Sequence, residues 1–164
     1  MSRKLMSGWR WAAMIAICAT SLFAQSNEAD ARKIAAYPLT LDLFHRYAAV
    51  TIDFAKLSKT DPARNQLKGL ESLPLDNRVQ RMESTAASAS ILKAHGISAR
   101  DMVMTSAAVT ALFVVKAATQ TGAGRNDANK LEWEATGPDH LKFYDAHKAD
   151  FDKYQADLMS AVRR

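Results

Sequence analysis

The chain has 164 residues, of which 48% are hydrophobic and 24% charged, and its formal net charge is +5. This length fits a single domain. The single cysteine excludes an internal disulfide framework, so stability must come from packing.

The first residues have the pattern of an export signal. Residues 11–23 form an uncharged apolar run, and no acidic residue precedes Glu28. A bilayer-spanning helix needs about 20 apolar residues, so this run is too short for a permanent anchor. The run is preceded by three basic side chains, Arg3, Lys4 and Arg10. The pattern predicts a signal peptide over residues 1–24 that is cleaved after Ala24, with no membrane span in the mature chain and a periplasmic or secreted location.

Removal of this signal changes the charge and the thiol content of the chain. The formal net charge falls from +5 to +2, because three basic residues and no acid leave with residues 1–24. A nearly balanced surface argues against nucleic acid as a partner. Cys18 leaves as well, so the mature chain is expected to have no thiolate ligand and no thiol nucleophile.

The remaining sequence has the start and stop signals that are typical of helices. Residues 25–38 form a charged, alanine-rich segment that we interpret as a partly ordered polar leader, and residues 39–164 form one domain. No stretch of useful length alternates between apolar and polar residues, as strands do. We therefore predict an all-α fold, a bundle of four main helices plus one short helix.

Caps and breakers place these five helices. Thr40 and Ser98 are N-cap residues, Gly96 and Gly122 end helices, and Pro138 opens the last one. Ser98 and Asp101 have the spacing of a capping box. The predicted helices cover residues 41–58, a short stretch that begins at Asp61-Pro62, and residues 77–95, 99–120 and 138–162.

The first of these helices carries apolar residues on two opposite sides. Because a surface helix needs only one apolar face, this helix is predicted to lie centrally in the domain or at a dimer interface. Its second stripe is the predicted partner-binding surface, and it contains Leu43, Tyr47, Val50 and Phe54. The expected partner is a second copy of the chain or another periplasmic protein.

Two further segments have a composition that predicts their place in the fold. Residues 102–115 carry no charge and predict a buried central helix. Residues 121–137 predict a long loop, which is often functional or mobile in a compact domain. This loop holds Trp133, the one tryptophan left after signal removal, and we include Trp133 in the candidate ligand-binding set.

The last predicted helix places a histidine on an aromatic stripe. His147 lies near the middle of an apolar arc of about 100° and is expected to be buried. The arc supplies the other candidate ligand-binding residues, Tyr144, Phe151 and Tyr154. His147 would ligate a haem or metal, act as a proton-transfer group, or be a core histidine that hydrogen-bonds a buried hydroxyl or carbonyl. His140 lies seven residues earlier, about 10.5 Å along a helix, so both cannot bind one ion.

Cofactor and catalytic motifs give little support for an enzyme. We expect no cofactor, and the alternative is a b-type haem held by His147 and Met82, Met102 or Met104. No CxxCH, HxxxH, HExxH or GxSxG motif occurs, and no glycine-rich phosphate loop follows a strand pattern. A non-enzymatic role is therefore favoured over an enzyme of unrecognised type.

Three segments resemble a group of small exported bacterial proteins with no assigned activity. They are the run YPLTLDLFHRY, the turn HGIS with the RDMVMTSAAVTALF that follows it, and the closing FYDAHKADFDKY. The resemblance covers most of residues 37–158 and implies export and an all-helical fold, without catalytic residues. In similar chains the last helix begins with Asn-Pro, where this chain has Gly137-Pro138.

These observations lead to two functional hypotheses. The first is an exported helical bundle that acts by binding or interaction without catalysis. The alternative is a bundle that binds a small ligand or b-type haem around His147.

Overall fold

The computed structural model describes residues 28–57, 61, 67–126 and 129–163. Within these ranges the chain is helical and contains no strand, which confirms the all-α class. Eight α-helices are described: α1 Glu28–Ala35, α2 Leu41–Lys56, α3 Leu75–Ser84, α4 Ala86–Ala94, α5 Ala99–Gln120, α6 Lys130–Ala135, α7 Pro138–Ala146 and α8 Lys148–Val162. A 3₁₀ turn covers Leu70–Ser72. The predicted number of five helices is therefore too low.

The export signal and most of the short helix predicted from Asp61 lie outside the described residues.

Helix α5 is the centre of the fold. Twelve of its 22 residues are buried, and α1, α2, α3, α4, α6 and α7 pack against it. By length and composition α5 is the one described helix that could cross a membrane, a test that buried core helices of soluble proteins also pass. Its burial on several sides agrees with the predicted central helix.

Local hydrogen bonds set both ends of α5 where the caps predict them. The Ser98 hydroxyl accepts the Asp101 backbone N–H at 3.0 Å and donates to the Asp101 carboxylate at 2.8 Å. At the other end, Gly122 has a φ of 72°, a conformation that glycine adopts without steric cost. The Ala123 N–H then reaches back to the Ala118 carbonyl oxygen at 2.9 Å. These bonds satisfy backbone groups that a helix end leaves without partners.

Helix α2 also begins at its predicted residue. The Thr40 hydroxyl accepts the Leu43 backbone N–H at 3.3 Å. The helix packs against α8, α5 and α4, so both of its apolar stripes meet neighbouring helices. Of the two predicted positions for this helix, the structure supports the central one.

The third and last predicted helices are each interrupted. Between α3 and α4, Thr85 leaves the helical conformation with a ψ of 111°, and its hydroxyl donates to the Arg81 carbonyl oxygen at 2.9 Å. Such hydroxyl-to-carbonyl bonds compete with the helical ladder. Between α7 and α8, His147 departs with a φ of −119°. Asp150 in the first turn of α8 favours a new helix start, because a carboxylate stabilises a helix N-terminus.

Two segments predicted as irregular contain helices that pack on each other. The polar leader holds α1, whose Ala31 and Ile34 are fully buried, and the loop 121–137 holds α6. An ion pair joins Glu28 of α1 to Lys130 of α6 at 3.3 Å. Helices of eight and six residues are too short to be stable alone, so their mutual packing and their contact with α5 must stabilise them.

Arg78 of α3 is a buried cation that holds the preceding turn. Its guanidinium donates to the carbonyl oxygens of Leu73 and Glu71, each at 2.6 Å. Burial lowers the Arg78 pKa, an effect opposed by the negative charges of Glu71 and Asp30. The contacts connect the 3₁₀ turn to the body of the domain.

Candidate functional site at the seam of α2, α7 and α8

An aromatic cluster fills the seam between α2, α7 and α8. Phe151 is fully buried, and its ring centroid lies 4.2 Å from that of Phe44 and 4.8 Å from that of Tyr144. Phe143 and Phe113 meet the Phe151 ring edge-on, at 5.9 and 5.8 Å. Aromatic pairs with centroids this close add stabilisation beyond the area they bury. Three predicted ligand-binding residues, Tyr144, Phe151 and Tyr154, therefore lie together in the core, and a ligand among them would have to displace a ring.

The inner end of this cluster is polar. The hydroxyls of Tyr47 and Tyr154 lie 3.2 Å apart and hydrogen-bond each other. Burial raises the pKa of both phenols above the ordinary value. Both side chains stay protonated over the ordinary pH range, and the pair provides a buried polar contact between α2 and α8.

His147 is not in the core, which corrects the predicted position. Its side chain is 31% exposed and lies at the break between α7 and α8. The imidazole packs on the Phe143 ring with a centroid distance of 4.7 Å. The periodicity argument assumed one continuous helix, and the break turns His147 toward the outer edge of the aromatic cluster.

At this outer edge one carboxylate lies between two histidines. His45 Nε2 is 2.9 Å from Asp150 Oδ1, and His147 Nδ1 is 3.9 Å from Asp150 Oδ2. The contact with His45 connects α8 to α2. In the part of the chain that the structure describes, no group of three or more His, Cys, Asp or Glu residues is arranged to hold a metal ion.

The buried histidine is His140, which the sequence places on the same stripe. His140 is 2% exposed, and its Nε2 lies 2.7 Å from the Tyr37 carbonyl oxygen. A carbonyl oxygen only accepts hydrogen bonds, so Nε2 carries the proton in this contact and Nδ1 of the neutral ring has the lone pair. The arrangement matches the hydrogen-bonded core histidine expected for His147, but at a different residue. Pro138 at the first position of α7 places His140 in the first turn of that helix, but the contact with Tyr37, 103 residues away in the chain, comes from tertiary packing that no local signal predicts.

Tyr37 links this histidine to α5. Its hydroxyl donates to the Asp101 carboxylate at 2.7 Å. Burial, followed by the hydrogen bond to Asp101, raises the Tyr37 pKa well above its ordinary value. Tyr37 thus fastens the segment after α1 to α5 by its side chain and to α7 by its backbone.

The remaining predicted site residues are divided between core and surface. Trp133 lies half-buried in α6, a helix within the segment predicted as a loop. Tyr47 and Val50 are 5% and 0% exposed, so both side chains lie in the core of the domain. Leu43 and Phe54 are half-buried and pack against the core. The two-stripe pattern reflects the helices on both sides of α2.

Phe54 also lines an open hollow at the carboxyl end of α2. Apolar side chains from α2 and from the segment before the 3₁₀ turn form most of its wall, and Lys68 and Glu71 add one charge of each sign. The lining residues are Phe54, Ala55, Leu57, Leu67, Lys68, Gly69 and Glu71. Phe54, one of the four residues predicted for partner binding, therefore lies at a concave surface.

Glu132 of α6 is a buried acid within the segment 121–137 that the sequence predicts to be a loop. It is 7% exposed, and burial raises the pKa of its carboxyl above the ordinary value of 4.5. No ion pair joins it to another described residue, whereas the neighbouring Glu134 pairs with Arg125 at 3.2 Å.

We expect Glu132→Gln to stabilise the protein near neutral pH. The folded state binds the Glu132 proton more tightly than the unfolded state, so stability falls as the pH rises from 4.5 through the raised pKa. At pH 7 the variant should melt higher by roughly 2–4 °C, the shift that about 1 kcal/mol produces in a domain of this size. Thermal unfolding at pH 4 and pH 7 measures this difference, which should vanish at the lower pH.

Glu134→Gln is the matched control on the same helix. Because Glu134 forms ion pairs with Arg125 and Lys130, its loss should leave the melting temperature unchanged or lower it slightly. Equal stabilisation by both variants would mean that a general loss of negative charge is responsible, and not the burial of Glu132.

Comparisons with protein-family models, with curated proteins and with solved structures give no match for this chain.

Proposed function

We propose that this chain is an exported, non-enzymatic helical protein that binds a protein partner at the hollow beside Phe54. One observation carries the proposal: the hollow is apolar, open and bordered by both a cation and an anion. Exposed apolar patches with a polar rim are typical of protein-binding surfaces. Opposite charges at the rim suit a protein segment, which offers charged groups of both signs, better than a nucleic acid.

The rim of the hollow allows a test that leaves the core intact. Lys68 is exposed, so a photo-crosslinking amino acid at this position should not disturb folding. Irradiated cells that export the protein should give one crosslinked product of defined mass, and Phe54→Ala should abolish it. Circular dichroism and thermal unfolding of the purified Phe54→Ala protein must show that the variant remains folded.

Lys142 provides the matched position on another surface. It is an exposed lysine of α7, distant in sequence from the hollow, and its ion pair with Asp139 is solvent-exposed. The same crosslinker at position 142 should give no product of that mass. Equal products from both positions, or none from position 68, would contradict a binding surface at the hollow. A product with twice the mass of the chain would identify the partner as a second copy.

The proposal of export rests on the order of three segments within residues 1–33: a basic start, an apolar run and a polar stretch. We expect the bacterial periplasmic or culture fraction to contain a chain that begins at Gln25, which N-terminal sequencing and intact mass can establish. Replacing Leu22 by Arg interrupts the apolar run and should leave the full-length chain in the cytoplasm. An unprocessed, cytoplasmic wild-type chain would refute export, while the crosslinking test of the hollow would still stand.

The haem alternative is less well supported. His147 is partly exposed, whereas Met82, Met102 and Met104 lie in the core with exposures of 3–7%. A Soret band that appears on addition of haem and is lost in His147→Ala would favour this alternative over partner binding.

A further inference from the structure

We draw no further inference here: the strongest candidate, the Asp150 carboxylate between the imidazoles of His45 and His147 on the outer edge of the α2–α8 seam, belongs to the site already described, and the described residues include no group arranged to hold a metal ion.

Discussion

Replacing Phe151 by alanine is expected to lower the free energy of unfolding by about 3–5 kcal/mol. The Phe151 ring is fully buried and contacts the rings of Phe44, Phe143 and Tyr144. Truncation removes the buried ring and leaves a cavity that its neighbours only partly fill. Chemical denaturation monitored by circular dichroism measures the loss.

This loss is a large part of the total stability of a typical domain, about 5–15 kcal/mol, so a milder variant is needed as well. Phe151→Leu keeps most of the buried volume and should cost clearly less than the alanine variant. Val162→Ala is the control, because Val162 is 56% exposed and its truncation should change stability by no more than about 0.5 kcal/mol. An alanine variant at position 151 as stable as that control would show that the aromatic cluster is not the core of this seam.

Gly137→Ala is expected to destabilise the protein by about 1–3 kcal/mol, the range for overpacking in a core. A Cβ atom at this position would lie 2.7 Å from the Ala35 carbonyl oxygen. Since the obstructing atom belongs to the backbone, no side-chain rotation can relieve the clash. Gly137 has a φ of −67°, which any residue adopts, so the penalty is purely steric. Thermal unfolding followed by the fluorescence of Trp133, on the neighbouring α6, should report it.

A stabilising effect of Gly137→Ala would contradict the steric contact with Ala35. Where the backbone permits it, Gly→Ala stabilises a protein by about 0.4–1 kcal/mol because the unfolded chain loses freedom. A stabilised Gly137→Ala variant would show that the C-terminus of α1 does not pack against Gly137. Gly122→Ala is the comparison variant, in which backbone strain replaces steric overlap as the reason for destabilisation. The added Cβ atom meets no other atom within 4 Å, but the φ of 72° is strained for alanine. Its cost should be about 1–2 kcal/mol and independent of α1 docking.

The contact at Gly137 gives a reason for glycine before Pro138. Any residue with a Cβ atom at position 137 would meet the Ala35 backbone in the same way as alanine. The close approach of α1 to the start of α7 therefore depends on the glycine of this chain.

Local signals in the sequence were sufficient for several boundaries. Thr40 and Ser98 cap helices by hydrogen bonds to residues three positions later. After α4, the Ile97 N–H bonds to the Leu92 carbonyl oxygen at 3.1 Å around Gly96, whose φ is 61°. Because these interactions lie within a few residues, the starts of α2 and α5 and the ends of α4 and α5 could be predicted without knowledge of the fold.

The candidate site was predicted less well. Residues 144, 151 and 154 share one predicted stripe, and in the structure they share one cluster because Phe151 contacts Tyr144 and Phe44, and Phe44 contacts Tyr154. The burial of His147 was not predicted correctly, since a change of direction at a single residue is invisible to a periodicity argument. Phe54 belongs to the predicted partner-binding stripe of α2. The hollow that it lines is formed in part by residues more than ten positions away in the sequence, which the helical spacing does not reveal.

The sequence by itself determined the all-helical class, the buried character of α5 and the capped helix ends, because these depend on hydrophobic composition and on short-range hydrogen bonds. Tertiary structure alone decided which histidine is buried, whether the residues of α1 and α6 are helical, and how much of α2 reaches solvent. Helices as short as α1 and α6 gain their stability from each other and from α5. Segments far apart in the chain likewise create the environments of His140, Glu132 and Gly137. The Tyr37 carbonyl oxygen meets His140, and the Ala35 carbonyl oxygen faces Gly137.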